Sequence, residues 1–200
     1  MKRKTGTTID SSFMTTQRDL FESGIVAEIG ANAFATWMAL KWHSDYATGA
    51  AFPGVRRLAE MVGLNKDTVS RCLHVLEDAK LLRTTQRGRG KTYIARERLD
   101  VRLGDVVACH VVVDYVPAKL REKLLGMEHA LEKGKGLADE VFVDVEIIPG
   151  PGFEWDPTSR SLKGRVPARA LGSGEPAERR KGAPPEIRDQ LERMRLSLKK

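Results

Sequence analysis

Apolar residues recur at helical spacing from Ala31 onward, after a first stretch whose apolar positions fit neither a helix nor a strand. In "ANAFATWMALKWH" they fall three or four positions apart, which predicts one helix that ends near Ser44. Its two indoles, Trp37 and Trp42, are placed near one face, and an aromatic stripe of this kind is typical of a protein core. The following "DYATGAAFPG" is predicted to be a loop, because Gly49 and the Pro-Gly pair break regular structure.

Two short helices joined at one glycine are predicted next. Pro53 fits the first turn of the first helix, where a missing N–H costs nothing. Gly63 ends that helix, because it can take the left-handed conformation that a sharp turn needs, and Asn65 is the predicted N-cap of the second. The apolar positions of the two helices are Leu58, Ala59 and Val62 in the first, and Val69, Cys72, Leu73 and Leu76 in the second. This pattern predicts a helix-turn-helix.

The second helix has a polar face made of Lys66, Asp67, Ser70, Arg71 and His74. Such a face, entering by the N-terminus of its helix, suits the major groove of B-DNA, which predicts a double-stranded DNA partner. Helical hairpins are common and most bind nothing. That alternative, however, does not predict small, glycine and β-branched residues at all of these positions together.

After Lys80 the period changes from helical to extended. The segments "LLRTTQ" and "KTYIAR" flank "RGRG", which predicts a β-hairpin with a basic tip. Arg87, Arg89 and Lys91 at this tip are placed to touch DNA phosphates or to enter the minor groove. The letters "GKT" also end the phosphate loop of ATPases, GxxxxGK[ST]. That loop needs glycine where Thr85 stands and must lead into a helix, so the phosphates expected here are those of DNA.

The run "ATWMALKWHSDYATGAAFPGVRRLAEMVGLNKDTVSRCLHVLEDAKLL" resembles the winged helix-turn-helix module of plasmid and phage replication initiator proteins, over roughly residues 33–96. Within it, "NKDTVSR" is similar to the start of the recognition helix in catabolite-activator-type regulators. That likeness implies that Lys66, Asp67 and Arg71 read bases. It implies phosphate contacts for Thr68 and Ser70. The candidate DNA-binding residues are therefore Asn65, Lys66, Asp67, Thr68, Ser70, Arg71, His74, Arg87, Arg89 and Lys91.

Two other positions bear on this resemblance. The preceding "RDLFESGIVAEIGANAFATW" is similar to the leader of a group of plasmid replication proteins, which favours replication over a general regulatory role. Lys80 departs from the module, which usually has glycine at the end of the second helix. A lysine there implies left-handed strain and leaves the exact angle of the hairpin open, though not the fold.

Beyond the hairpin, "VVACHVVVDY" predicts a buried strand, and the segment from Pro117 predicts a helix. The run "EVFVDVEII" predicts a second strand, on which Asp144 and Glu146 are expected to be solvated charges. Past about residue 165 the composition predicts a flexible linker and a short amphipathic helix. The predicted fold is α+β, with an N-terminal leader at 1–30, a winged helix-turn-helix DNA-binding domain at 31–98, an acidic β-α-β support or dimerisation unit at 99–160 and a flexible basic tail at 161–200.

The formal net charge of +7 is unevenly distributed: +6 over residues 1–98, −5 over residues 99–160 and +6 over residues 161–200. Two basic segments suggest a polyanionic partner.

Cys72 and Cys109 have no metal-ligand spacing and are predicted to be buried thiols. His110 is predicted to be a core residue whose ring nitrogens are satisfied by hydrogen bonds. No apolar run is long enough to cross a bilayer and none follows the basic N-terminus, so a cytoplasmic protein with no membrane partner is expected.

The sequence is compatible with three functions. The first is a sequence-specific DNA-binding protein that initiates plasmid or phage replication, with host replication proteins and a second copy of the chain as candidate partners. The second is a winged-helix transcription regulator that uses the same DNA-binding surface. The third, an NTP-dependent enzyme, has only the "GKT" letters in its favour. The chain is expected not to be an enzyme and to need no cofactor or metal, since neither a GxSxG nor an HExxH motif occurs.

Overall fold

The computed structural model describes residues 14–88 and 90–164. The helices of these residues are α1 (Asp19–Glu22), α2 (Ile25–Ile29), α3 (Ala31–His43), α4 (Val55–Val62), α5 (Lys66–Asp78) and α6 (Leu120–Glu132), with a 3₁₀ helix at Glu140–Phe142. The strands are β1 (Ala50–Ala51), β2 (Leu82–Arg87), β3 (Gly90–Leu103), β4 (Val106–Asp114), β5 (Glu146–Pro149), β6 (Phe153–Asp156) and β7 (Ser161–Gly164). Helices and strands are thus mixed, as predicted.

Helices α1 and α2 occupy the stretch for which the sequence pattern predicted no structure. Leu20 and Ile25 are buried in the core shared with α3. The Asp19 carboxylate accepts a hydrogen bond from the backbone N–H of Asp100 at 2.7 Å. Each helix is only about one turn long, so its apolar residues are too few to reveal a period.

Helix α3 confirms the helix predicted from Ala31, and Ser44 is its C-cap. Trp37 is fully buried, but 49% of Trp42 is exposed. The expectation that both indoles belong to the core was therefore wrong for Trp42. Positions five apart are separated by about 140° around an α-helix, so one of the two must turn away from the face that the other buries.

Helices α4 and α5 form the predicted helix-turn-helix, and both pack on α3. Gly63 joins them with a φ of 69°, the left-handed conformation expected there. Pro53 does not lie in the first turn of α4, because extended Gly54 is the N-cap and the helix begins only at Val55. Val62 is half-buried, whereas the other apolar positions predicted for the two helices are buried.

Strands β2 and β3 form the predicted hairpin. They pair antiparallel from Leu82 opposite Ala95 to Arg87 opposite Gly90, which leaves a two-residue connection. Strand β3 also pairs with β1 and with β4, and β4 pairs with β5, so the sheet has five strands. The predicted domain boundary at residue 98 therefore falls inside β3, in a sheet that includes strands from both sides of the boundary.

The strand and helix predicted after the hairpin are confirmed as β4 and α6, and β5 pairs antiparallel with β4. Val141 and Val143 do not lie on a strand. The Asp139 carboxylate accepts a hydrogen bond from the Val141 N–H at 3.2 Å and caps the 3₁₀ helix, which buries Phe142.

The tail predicted at 161–200 overlaps β7, which pairs with β6 from Phe153 opposite Gly164 to Asp156 opposite Ser161. The linker and amphipathic helix predicted past residue 165 lie outside the described residues. Among the helices that are described, none combines the length and apolar character required to span a bilayer.

Candidate nucleic-acid interface

Helix α5 is held from one side and presents the other side to solvent. Val69 and Leu76 are fully buried against the core, and Cys72 and Leu73 nearly so. On the opposite side the predicted DNA-binding residues Lys66, Asp67, Arg71 and His74 are exposed, and Thr68 and Ser70 are half-buried. The structure therefore brings the helical part of the candidate set together on one accessible face.

Asn65 is the N-cap of α5, as predicted. Its side-chain Oδ1 accepts a hydrogen bond from the backbone N–H of Thr68 at 2.7 Å. This contact satisfies one of the four amide groups that a helix leaves unpaired at its start. The remaining partial positive charge of the helix N-terminus favours an anion near Lys66.

Arg71 and Thr68, for which different roles were predicted, are in direct contact. Arg71 Nη2 donates a hydrogen bond to Thr68 Oγ1 at 3.3 Å, one helical turn away. A guanidinium has five N–H donors, so the others stay available for acceptors on a ligand. The contact holds the guanidinium of Arg71 over the first turn of α5, where a recognition helix meets base edges.

His74 has an acidic neighbour that the sequence analysis did not consider. Its Nδ1 lies 3.4 Å from Glu77 Oε2, and 73% of the His74 side chain is exposed. The C-terminal half of the α5 face is therefore less favourable to a phosphate than its first turn.

The basic tip of the hairpin lies at the other edge of the same surface. Lys91 is exposed and pairs across the hairpin with Gln86. Arg87 pairs with Gly90 at the last position of the ladder. Arg89 lies outside the described residues, and its role stays a prediction.

A small cleft of about 110 Å³ joins α5 to the hairpin. Its lining includes Ser70 and His74 from α5 and Lys91 from β3. Thr84 of β2 also lines it, and the Thr84 hydroxyl oxygen is buried without a hydrogen-bond partner among the described residues. The cleft shows that candidate residues from two separate sequence segments share one surface.

The start of α4 extends this surface with residues that the sequence analysis missed. Arg56 and Arg57 are exposed there, and both contact Glu60 one turn later. Phe52, 65% exposed, lines a cavity of about 460 Å³ together with residues 90–93, at the tip end of β3. The adjacent arginines in "PGVRRLAE" were an available signal, since the first helix of such a motif crosses the DNA backbone.

A cavity of about 720 Å³ lies away from this surface, between β3, β4 and α6. Its lining is mostly aliphatic, with Leu124 and Met127 from α6. Asp100 also lines the cavity with 4% of its side chain exposed, and its two carboxylate oxygens contact His110 at 2.7 Å and Arg102 at 2.8 Å. His110 is thus a satisfied, mostly buried residue, as predicted, and the cavity adds no recognisable chemistry to the candidate interface.

The two cysteines are free and buried, as predicted. Burial, with a smaller contribution from Asp100, raises the pKa of the Cys109 thiol to about 11. In the described part of the chain, no group of three or more His, Cys, Asp or Glu residues could hold a metal ion.

The helices, the tight turn at Gly63 and the exposed face of α5 together define a helix-turn-helix. A family model described as a helix-turn-helix domain matches residues 27–82, from α2 to the start of β2. This match supports DNA binding by the module and does not separate replication from transcriptional regulation. Searches of curated proteins and of solved structures found no match to the chain.

Proposed function

We propose that this protein is a sequence-specific double-stranded DNA-binding protein that acts in the initiation of plasmid or phage replication. Helix α5 is the recognition helix in this proposal, and the hairpin of β2 and β3 is the wing of a winged helix-turn-helix. The chain would act by binding DNA and recruiting host replication proteins, without catalysing a reaction itself.

The observation that carries the proposal is the shared surface of α5 and the hairpin. Lys66 and Arg71 are exposed on the first two turns of α5, and Lys91 of the hairpin shares a cleft with Ser70 and His74. A helix that enters the major groove and a basic hairpin beside it would read bases and hold phosphates at the same time. This combination supports DNA recognition better than either element alone.

The proposal of replication rests on the likeness of "RDLFESGIVAEIGANAFATW" to the leader of plasmid replication proteins. Residues of this segment form α1, α2 and the start of α3, with Leu20 and Ile25 buried in the core. A leader that is built into the DNA-binding module is consistent with that likeness. Binding to repeated sequences at an origin, rather than to promoter operators, is therefore the expected activity.

Titrations of fluorescent duplexes would test the DNA-binding roles. The duplexes would be selected from a random pool and compared with fragments that tile the replicon carrying the gene. Lys66→Ala and Arg71→Ala should cost roughly 1–3 kcal/mol on the selected site and relax its sequence preference. Lys91→Ala should weaken all duplexes about equally and lower the salt slope by about one.

Arg121→Ala is the matched control, since it removes one exposed positive charge from α6, away from the candidate interface. It should leave the sequence preference of the protein unchanged. If Lys66→Ala and Arg71→Ala keep the sequence preference while Lys91→Ala changes it, the assigned roles of the helix and the hairpin are reversed. Preferred binding to promoter fragments instead of origin repeats would replace replication by transcriptional regulation.

A further inference from the structure

Buried polar groups of helix α3 contact the residue that precedes β2 and the middle of β3. The indole Nε1 of Trp37 donates a hydrogen bond to the carbonyl oxygen of Leu81, directly before β2, at 3.1 Å. Four residues later, Lys41 Nζ donates to Glu97 Oε1 on β3 at 2.5 Å. Residues four apart lie on the same side of a helix, so one face of α3 holds the start of β2 and the middle of β3.

The Lys41–Glu97 ion pair is fully enclosed, with 0% and 1% of the two side chains exposed. The Lys41 ammonium group also donates to the Thr15 carbonyl oxygen and lies 4.3 Å from the ring centre of Trp37 and 4.1 Å from that of Tyr115. Glu97 Oε2, in contrast, has no hydrogen-bond partner among the described residues. The Lys41 ammonium group thus has several partners, whereas one of the two carboxylate oxygens of Glu97 has none among the described residues.

Stability alone does not explain this pair. Burial lowers the pKa of Lys41 and raises the pKa of Glu97, so both shifts show that desolvation opposes the charged forms. Apolar residues of similar volume often stabilise a fold as well as a buried ion pair does, or better. An ion pair, however, requires one alignment of its partners, which an apolar contact does not.

The alignment of β3 matters for the hairpin tip. Lys91, Tyr93, Ala95 and Glu97 are spaced by two along β3 and therefore share one side of the strand. Three of them are buried, and Lys91 is the exposed member at the cleft beside α5. A slip of one residue would turn this whole set to the other side and leave Lys41 buried without its partner.

We infer that the Lys41–Glu97 pair is a positioning device for DNA binding: it fixes the alignment of β3 on α3 and thereby holds Lys91 and the hairpin beside the recognition helix. This inference rests on the proposed DNA-binding function. Neither residue contacts DNA in this arrangement, and both act through the hairpin.

The test is the full-length Lys41→Met/Glu97→Leu double variant, which replaces the ion pair by apolar side chains. It should unfold cooperatively, with stability equal to or above that of the wild type. Its salt slope for DNA binding should fall by about one for each phosphate contact that the hairpin loses. Glu97→Gln retains a hydrogen-bond acceptor for Lys41 and should keep the wild-type slope, although it lowers stability because the buried Lys41 charge loses its counter-charge.

A distance measurement gives a readout that does not depend on DNA. Nitroxide labels at Asp78→Cys on α5 and Gln86→Cys on β2 would report the position of the hairpin, since both sites are exposed and the native cysteines are buried. The distance distribution should broaden or shift in the double variant. It should stay unchanged in Arg18→Met/Glu22→Leu, a control that removes an exposed ion pair from α1.

A double variant with the wild-type distance distribution and salt slope would overturn the inference. Loss of cooperative folding in the double variant would also overturn it, because the pair would then be needed for the fold itself. If the wild type binds no duplex, the proposed function fails, and the distance measurement still decides whether the pair positions the hairpin.

Discussion

Lys80 ends helix α5 in a conformation that non-glycine residues rarely adopt. Its φ is 64°, and the backbone N–H of Leu81 donates to the Leu76 carbonyl oxygen at 2.9 Å, the hydrogen bond that closes a Schellman motif. Leu76 and Leu81 are both fully buried. The side chain of Lys80 lies 3.7 Å from Glu146 Oε1, between partly exposed groups. The left-handed strain expected from the sequence is therefore present, and the surrounding core holds it in place.

Lys80→Gly and Lys80→Ala separate this strain from the surface ion pair. Both remove the contact with Glu146, but only glycine removes the Cβ atom. The glycine variant should be more stable than the alanine variant by about 1–2 kcal/mol, the cost of left-handed backbone for an L-residue. Urea unfolding of both variants measures the difference. Equal free energies of unfolding would show that the position is not strained.

At the scale of elements, charged side chains connect the hairpin to the strands that follow it. Arg96 of β3 donates to Glu146 Oε2 of β5 at 2.7 Å and lies 3.3 Å from Asp114 of β4. Arg83 of β2 pairs with the same Asp114. The expectation that Glu146 is merely a solvated charge was therefore wrong, because Arg96, distant in sequence, reaches it in the folded sheet. Asp144 has no ion-pair partner among the described residues.

Glu146 predicts a pH dependence of stability. Burial opposes its ionisation, but the hydrogen bond and charge of Arg96 outweigh burial and lower its pKa below the ordinary 4.5. The contribution of a carboxylate with a lowered pKa is present at neutral pH and is lost as the pH falls below about 4.5. Glu146→Gln should therefore cost roughly 1 kcal/mol or less at pH 7, since the side chain is 40% exposed, and less at pH 3 than at pH 7.

Chemical unfolding at pH 7 and at pH 3 measures this difference. Glu60→Gln is the control, because Glu60 is an exposed carboxylate whose ion pairs among the described residues are with arginines of its own helix. It should change stability by no more than about 0.5 kcal/mol at pH 7. A Glu146→Gln variant that loses the same free energy at both values would contradict the assigned role of Arg96.

At the scale of the whole described chain, β3 links the helix-turn-helix to the strands beyond it. Its first half pairs with β2 in the hairpin, and it is also hydrogen-bonded to β4. Tyr115, just after β4, is 3% exposed, and its backbone N–H donates to the Ala95 carbonyl oxygen at 2.8 Å. Val111 and Val113 of β4 also belong to the core cluster that contains Trp37. The strands after residue 98 thus complete the core beneath the helix-turn-helix.

A fragment of residues 1–98 should therefore fail to fold cooperatively, although it contains the whole predicted winged helix-turn-helix. It would lose Tyr115, whose ring centre lies 4.1 Å from the Lys41 ammonium group and whose backbone N–H donates to the Ala95 carbonyl oxygen. The fragment 1–164 is the control and should unfold with a midpoint close to that of the full chain. Urea titrations followed by circular dichroism compare the two. Cooperative unfolding of 1–98 at the midpoint of the full chain would establish that domain as independent.

The helix-turn-helix could be predicted from the sequence because its determinants are local. Gly63 marks the turn, Asn65 caps α5 three residues before the amide that it binds, and the apolar positions of α5 repeat within 13 residues. The hairpin was predictable for the same reason, since a change of period and two glycines mark it. The Phe52 side chain was missed because nothing in the sequence distinguishes an exposed aromatic ring from a buried one.

The sequence by itself determined which residues of α5 face outward and that a basic hairpin follows, because helical and extended periods are set by backbone geometry over a few residues. Only the tertiary structure decided where that hairpin lies. Lys41 and Glu97 are 56 positions apart, and Arg96 and Glu146 are 50 apart. Neither pair leaves a repeating pattern, because such contacts depend on how the chain folds back on itself and not on the order of neighbouring residues.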